Sequence, residues 1–163
     1  MAPTKAHRGA AALRIGVLLG LLPLVLAGLQ RPAPPLRISS LKAMLFYSQT
    51  GAFSADLFGP SAPTLHNVRT GVGQAMATLV VIEITGPPDT YVPTRKISFA
   101  ATAGRRALLT KTLDVGLLGE AGKFHVAFWL DDTGCTPVVL KARIVGQSDD
   151  TAVEKTINFK CGD

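Results

Sequence analysis

Apolar and polar residues alternate with a period of two along the C-terminal third of the chain. From Phe124 to Leu130 every second residue is large and apolar, and the residues between them include His125 and Trp129. The same alternation recurs over residues 138–145 and 153–161. Because successive side chains of a β-strand point to opposite faces, this pattern predicts three strands that each bury one face.

Five further segments upstream have the composition of strands and end at turn residues. They cover residues 41–47, 52–58, 79–85, 96–101 and 106–115. The segment from Leu79 to Thr85 is apolar on both faces except at Glu83, which predicts a central strand. Residues 70–77 are expected to form a short helix or a loop. The last two strands are expected to pair as a hairpin whose turn covers residues 146–151.

These short strands, separated by turns, predict an all-β protein. Seven to nine strands in one domain, residues 37–163, favour an immunoglobulin-like antiparallel β-sandwich over a closed barrel. No long stretch after residue 36 has a helical period. The sequence therefore places a single β-sandwich domain after an N-terminal region of different character.

The N-terminal region has the order of features found in a secretory signal peptide. Lys5, Arg8 and Arg14 precede an unbroken apolar run from Ile15 to Leu26, and Ala27 follows it. A basic start, a short apolar segment and a small-residue site predict export and cleavage. We therefore expect a signal peptide over residues 1–27, a Pro-rich spacer over residues 28–36 and a secreted or periplasmic domain. An uncleaved N-terminal anchor is the alternative; after cleavage no stable membrane span is expected.

The formal net charge of +6 is a weaker sign of nucleic-acid binding than its size suggests. Three basic residues lie in the predicted signal peptide, which leaves 14 Lys and Arg against 11 Asp and Glu in the exported part. The longest basic cluster, Arg105-Arg106 with Lys111, contains no aromatic residue. The exported part therefore lacks the charge pattern of a nucleic-acid-binding protein.

The two cysteines, Cys135 and Cys161, both follow the predicted cleavage site. In an exported protein such a pair predicts one disulfide. It closes a loop of about 27 residues, which contributes roughly 3–4 kcal/mol in the chain-entropy account. Pairing of the last two strands brings the start of one near the end of the other, which suits this bridge. Free thiols, or a thiol pair that binds a metal, are the alternatives.

The turn Asp132-Thr133-Gly134 resembles the active-site turn of aspartic peptidases, in which a catalytic Asp follows an apolar strand. That family needs two carboxylates that share one proton. Here Asp131 precedes the Asp where the family has an apolar residue, Cys135 follows the Gly, and no second such turn is present. The resemblance thus implies activity only in a homodimer. The alternative is a hairpin turn, which the Asp-Asp-Thr-Gly composition also predicts.

Other candidates for chemistry are weaker in pattern. The stretch Gly71-Val72-Gly73-Gln74-Ala75-Met76 begins like a dinucleotide-binding loop but ends in Met, so a flexible glycine loop is favoured. His66 and His125 have no cysteine or methionine at copper-ligand spacing, and the acid pairs Asp131-Asp132 and Asp149-Asp150 lack the spacing of a calcium loop. The sequence therefore predicts no catalytic residue, no cofactor and no metal.

Aromatic residues are concentrated between Phe46 and Phe53. Tyr47 and Phe53, next to a turn, are candidates for a binding surface, although residues of the core are favoured.

Taken together, these patterns predict an exported, non-catalytic β-sandwich module that binds an unknown protein or ligand in the cell envelope. A small homodimeric aspartic-type peptidase that uses Asp132 is one alternative. A purely structural envelope component is the other.

Overall fold

The computed structural model describes residues 34–63, 68–69, 73–147 and 152–159. These residues contain strands, turns and irregular segments, and no helix. All of them belong to one compact unit, Pro32–Asp163. Among them there is no helix long and apolar enough to cross a membrane.

Nine strands form the described part of the fold. In chain order they are β1 (Arg37–Tyr47), β2 (Ala52–Phe53), β3 (Val68–Arg69), β4 (Gly73–Thr85), β5 (Lys96–Ala103), β6 (Arg106–Asp114), β7 (Lys123–Asp131), β8 (Val138–Val145) and β9 (Val153–Ile157).

The strands form two antiparallel sheets that pack as a β-sandwich. In the first sheet, β4 pairs with β1 on one side and with β7 on the other, while β2 extends β1 and the two-residue β3 pairs with the start of β4. The second sheet has the order β6-β5-β8-β9. The predicted all-β sandwich is therefore confirmed, as are the central position of residues 79–85 and the pairing of the last two long strands.

The core lies between the two sheets and is built by the period of two. Alternate residues of β1, β4, β5, β7 and β8 are buried, including Leu41, Ile82, Phe99, Phe128 and Leu140. The Phe99 and Phe128 rings, one from each sheet, stack at 4.5 Å between centroids with an interplanar angle of 13°. Because burial of one large apolar side chain contributes about 1.5–3 kcal/mol, this interior accounts for the stability of the fold.

The outer edge of β1 is occupied along most of its length. The Ala43 N–H donates to Asp56 Oδ1 at 3.1 Å, and the Leu45 N–H donates to Ser54 Oγ at 2.9 Å. The backbone N–H groups of Leu57 and Ser54 donate in turn to the Ala43 and Leu45 carbonyls at 2.8 and 2.9 Å. A loop thus supplies the hydrogen bonds that a neighbouring strand normally makes.

Two long polar side chains from distant parts of the chain extend this cover, one at Leu41 of β1 and one at Leu36, the residue before the strand. Lys155 Nζ on β9 donates to the Leu41 carbonyl at 3.0 Å and lies 4.5 Å from the centre of the Phe58 ring. The Gln147 amide accepts from the Leu36 N–H at 3.1 Å and donates to the Leu36 carbonyl at 2.9 Å. We call this side of the sandwich, with the edge of β1 and its covering groups, the covered edge.

A tight turn leads into β7 and needs glycine. Gly122 has a φ of 65°, and a Cβ there would collide with the Gly86 carbonyl. The Gly86 N–H donates to the Gly122 carbonyl at 3.0 Å, while the Gly119 N–H donates to the Lys123 carbonyl at 3.1 Å. The close approach of these backbones fixes the direction in which β7 begins.

Three expectations for the strands need correction. Residues 73–77 are the start of the long strand β4, neither helix nor loop, since their backbone pairs with β1 and β3. The segment 52–58 is a strand only over Ala52–Phe53, because residues 54–57 bend to bind the edge of β1. The last strand ends at Ile157 rather than at residue 161 within the described residues, and most of the predicted turn at 146–151 lies outside them.

Candidate functional site

Three aromatic side chains meet on the outer face of the first sheet, away from the core. Phe46 on β1, Phe53 on β2 and Trp129 on β7 form a triangle with ring-centroid distances of 5.3 Å (Phe46 to Phe53), 5.8 Å (Phe46 to Trp129) and 6.0 Å (Phe53 to Trp129). The Phe46 and Trp129 rings meet edge to face, which is a favoured aromatic geometry. We call these three residues the aromatic patch.

The register of the strands explains why the patch forms. Phe46 lies opposite Phe53 on β2 and Ala77 on β4, and Leu79 on β4 lies between Met44 and Trp129. The small Ala77 leaves room for the rings to reach across the central strand. The patch therefore extends across four strands, and its neighbours Met44 and Leu79 are half-buried and apolar.

Exposure distinguishes the patch from the core. Phe53 and Trp129 retain 46% and 48% of their surface in contact with solvent. A soluble domain loses free energy by presenting several large apolar rings together to water, so a cluster of this kind is typical of an interaction surface. Trp is also enriched among the few residues that carry most of the binding free energy at protein interfaces.

A polar cluster occupies the other end of the same face. Glu83 on β4 accepts hydrogen bonds from Ser39 Oγ at 2.7 Å and Lys123 Nζ at 3.0 Å, and its carboxylate lies 3.1 Å from His125 Nε2. The hydrogen bond from Ser39, followed by that from Lys123, lowers the pKa of Glu83 from 4.5 to about 2. The cluster joins β1, β4 and β7 on the outer face.

The predicted aspartic-peptidase turn follows β7 directly. Asp132 has a φ of 49° and Gly134 one of 63°, so the segment is a tight turn, as its composition predicts. The Asp132 side chain is 82% exposed and pairs with Arg106 Nη1 at 3.1 Å, while Arg106 Nη2 donates to the Asp132 carbonyl at 2.8 Å. The turn thus ties the end of β7 to the start of β6 in the second sheet.

The other residues considered from the sequence fall in different places. Tyr47 is buried in the core at 3% exposure, whereas Phe53 is part of the exposed aromatic patch. His125 contacts Glu83, and His66 lies outside the described residues. Gly73 to Met76 belong to β4, and Gly71 and Val72 lie outside the described residues. The described part of the chain contains no group of three or more His, Cys, Asp or Glu side chains that could hold a metal ion.

The predicted disulfide stays a prediction. Cys135 is an exposed residue of the turn between β7 and β8, and Cys161 lies outside the described residues. The signal peptide over residues 1–27 lies outside them as well.

Of the three residues of the aromatic patch, the sequence offered only Phe53 as a candidate for a binding surface, and it favoured the core for that residue. The alternation over residues 124–130 already separates Trp129 from the apolar face of its strand, and this signal was sufficient to expect an exposed Trp. Phe46 was harder to place, because both faces of residues 41–47 carry apolar residues. Only the register of β1 against β2 and β4 shows that Phe46 and Trp129 share a face.

A scan against protein-family models and a search of the curated proteins found no match for this chain.

Proposed function

We propose that this protein is an exported, non-catalytic β-sandwich module that binds another protein through the aromatic patch. The observation that carries the proposal is the clustering of Phe46, Phe53 and Trp129 on an exposed sheet face although the core is already complete. Folding alone gives no reason to place the ring of Trp129 in solvent.

The surroundings of the patch favour a protein over a sugar as its partner. Sugar-binding platforms place hydrogen-bonding side chains beside the rings, because each hydroxyl that is removed from water needs a partner. Here the nearest residues in the strand register are Met44, Ala77 and Leu79. The rings are tilted or edge-on to one another rather than coplanar. This arrangement suits the apolar centre of a protein interface.

The strand order supports an immunoglobulin-like form of the sandwich. In such domains strands A, B and E share one sheet, and strands C, F and G share the other. Here β1, β4 and β7 lie in the first sheet, β5, β8 and β9 lie in the second, and β6 pairs with β5 in the position of strand C′. Domains of this architecture commonly act as binding modules, although the architecture alone does not specify a partner.

Export and disulfide closure are the parts of the proposal that rest on the sequence. Intact mass measured on envelope and cytosolic fractions, before and after thiol alkylation, tests both together. We expect a species cut near Ala27 that does not react with the alkylating reagent. A full-length species with two reactive thiols would contradict export and the bridge between Cys135 and Cys161.

Binding through the patch is tested with a double variant and a matched control. Phe53→Ala with Trp129→Ala removes the two most exposed rings of the patch, and Tyr91→Ala removes an aromatic ring outside the patch that is 57% exposed. We expect proteins cross-linked by the wild type and by Tyr91→Ala to be absent from the double variant. A purified partner should then bind the double variant at least about tenfold more weakly.

The result that would overturn the proposal is equally specific. Equal partner affinity for the wild type and the double variant would show that the patch is not the binding surface. Retention of the folded state by the double variant is checked by its far-ultraviolet circular dichroism and its urea midpoint.

A further inference from the structure

The open edge of the sandwich is the outer edge of β7, where the outward backbone groups from His125 to Trp129 have no partner among the described residues. Backbone N–H and C=O groups of an antiparallel strand face its two neighbours at alternate residues. The Gly122 carbonyl faces β4, where it accepts from Gly86, and the Lys123 carbonyl faces away and accepts from Gly119. The backbone groups of His125, Ala127 and Trp129 therefore face outward.

The edge of β7 lacks the features that protect β6, the edge strand of the second sheet on the same side of the sandwich. Strand β6 contains a bulge at Leu108. Its pairing with β5 shifts there by one residue, between Ala101 and Thr102. It also places Lys111 opposite the buried Phe99, on the inward face of the strand. A bulge and an inward charge both discourage pairing with another strand. Strand β7 has neither, and its register with β4 is continuous over nine pairs.

The sequence of β7 is complementary to itself when two copies run antiparallel. If the two-fold axis passes through Ala127, charged residues of opposite sign lie opposite each other. Each side chain that faces the core also lies opposite one that faces the core of the second copy. The pairs are Lys123 with Asp131, Phe124 with Leu130, His125 with Trp129, Val126 with Phe128, and Ala127 with Ala127 of the second copy.

Charge complementarity supports a second copy as the occupant of this edge. Among the described residues no cation pairs with Asp131, and Lys123 lies 3.0 Å from Glu83. In the two-fold arrangement Lys123 of each copy lies opposite Asp131 of the other, so the same ion pair forms twice. Opposite charges that face each other across strands stabilise pairing, and like charges oppose it.

We propose that two copies of this chain associate through the outer edge of β7, with the two-fold axis at Ala127. The first sheets of the two copies then form one continuous sheet, and the two aromatic patches lie on the same face of it. The Asp132 residues lie at opposite ends of the paired strands, about 33 Å apart at the rise per residue of an extended strand. This dimer therefore does not bring two Asp132 carboxylates together as a peptidase would require.

Two variants test the edge, and a third is their control. Ala127→Pro removes an outward N–H, so it blocks strand pairing between copies without removing a hydrogen bond to β4. Asp131→Lys places two lysines opposite each other at both ends of the interface. Glu154→Lys makes the same charge change on β9, on the other side of the sandwich, where Glu154 pairs with Lys141 at 3.5 Å.

Sedimentation equilibrium of the purified protein, over a range of concentrations, measures the association. We expect a monomer–dimer equilibrium for the wild type and for Glu154→Lys. Ala127→Pro and Asp131→Lys should each raise the dissociation constant about tenfold or more. Hydrogen exchange of the wild type should show that the amides of His125, Ala127 and Trp129 become protected as concentration rises, a test that needs no variant.

Two results would overturn the proposal. One is a wild-type protein that stays monomeric up to about 1 mM, the weak end of measurable association. The other is a dimer whose dissociation constant is the same in the wild type and in Asp131→Lys. Neither result bears on the aromatic patch, because partner binding by the Phe53 and Trp129 variants is measured separately.

Discussion

The covered edge at β1 and the open edge at β7 differ although both strands pair with the same central strand. At β1, residues 54–57 bind the outward backbone groups of Ala43 and Leu45, and Lys155 binds the Leu41 carbonyl. Gln147 binds the backbone of Leu36, the residue before the strand. At β7, the corresponding groups from His125 to Trp129 have no partner among the described residues. An unpaired strand edge can pair with a strand of another molecule. Because the edge of β1 is covered and the edge of β7 is not, only β7 is available for such pairing.

Proline substitution on the two edges gives the largest expected contrast. Ala43→Pro removes the N–H that donates to Asp56 and forces a buried residue to shift, so it should lower the free energy of unfolding by about 3 kcal/mol or more. Ala127→Pro removes an N–H that faces solvent in the monomer and should cost about 1 kcal/mol or less. Urea unfolding at a protein concentration that keeps the chain monomeric measures both. Equal losses would contradict the assignment of the two edges.

The second largest difference in stability is expected when one carboxylate is removed from each edge. Asp56 accepts from the N–H groups of Ala43 at 3.1 Å and Phe58 at 3.2 Å, so Asp56→Ala leaves both without their acceptor. We expect a loss of about 1–3 kcal/mol in the free energy of unfolding. Asp131→Ala on the open edge should change it by less than about 0.5 kcal/mol. Thermal unfolding of the two variants, run side by side, checks the difference.

Lys155→Met separates the polar contact of the covered edge from its packing. Methionine keeps an unbranched apolar stem but lacks the ammonium group that donates to the Leu41 carbonyl and lies over the Phe58 ring. The loss should be about 1 kcal/mol. Lys141→Met, on the neighbouring strand, removes only an exposed ion pair with Glu154 and serves as the control. A urea midpoint for Lys155→Met that matches this control would show that the cover depends on packing alone.

The smallest effect concerns Glu83, which links the strands of both edges. Its pKa falls from 4.5 to about 2 on folding, so the ionised carboxylate is stabilised in the folded state. This contribution is complete above pH 4.5 and is lost as the pH falls towards 2. Ser39→Ala removes the largest cause of the shift and should flatten the decline of the urea midpoint in this range. A pH profile unchanged from the wild type would contradict the role of the Ser39 hydrogen bond.

The sequence predicted the strands better than it predicted their neighbours. Alternation over residues 124–130 and 138–145 was enough to place the buried faces of β7 and β8, because one face of each strand packs in the core. Alternation is the same in a central and an edge strand, so it could not show that β7 has an open side. It also could not show that residues 54–57 bend to bind β1, since their apolar content resembles that of a strand.

The candidate site was partly accessible from the same pattern. Phe53 was considered beside its turn, and Trp129 stood on the polar face of its strand in the sequence. Their proximity to Phe46 depends on pairings between residues far apart in the chain, which a local pattern does not contain. Tyr47 is buried, as the favoured prediction of a core residue had it, whereas Phe53, for which the core was favoured as well, is exposed.

The contacts of Gln147 with Leu36 and of Lys155 with Leu41 have a consequence for the order of folding. They join residues separated by 111 and 114 positions, so the cover of this edge is not complete until residues 147–155 are available. Contacts of such separation slow folding, because a long loop must be ordered before they form. A chain that emerges N-terminus first, from a ribosome or through a membrane, thus remains incompletely folded until β9 follows.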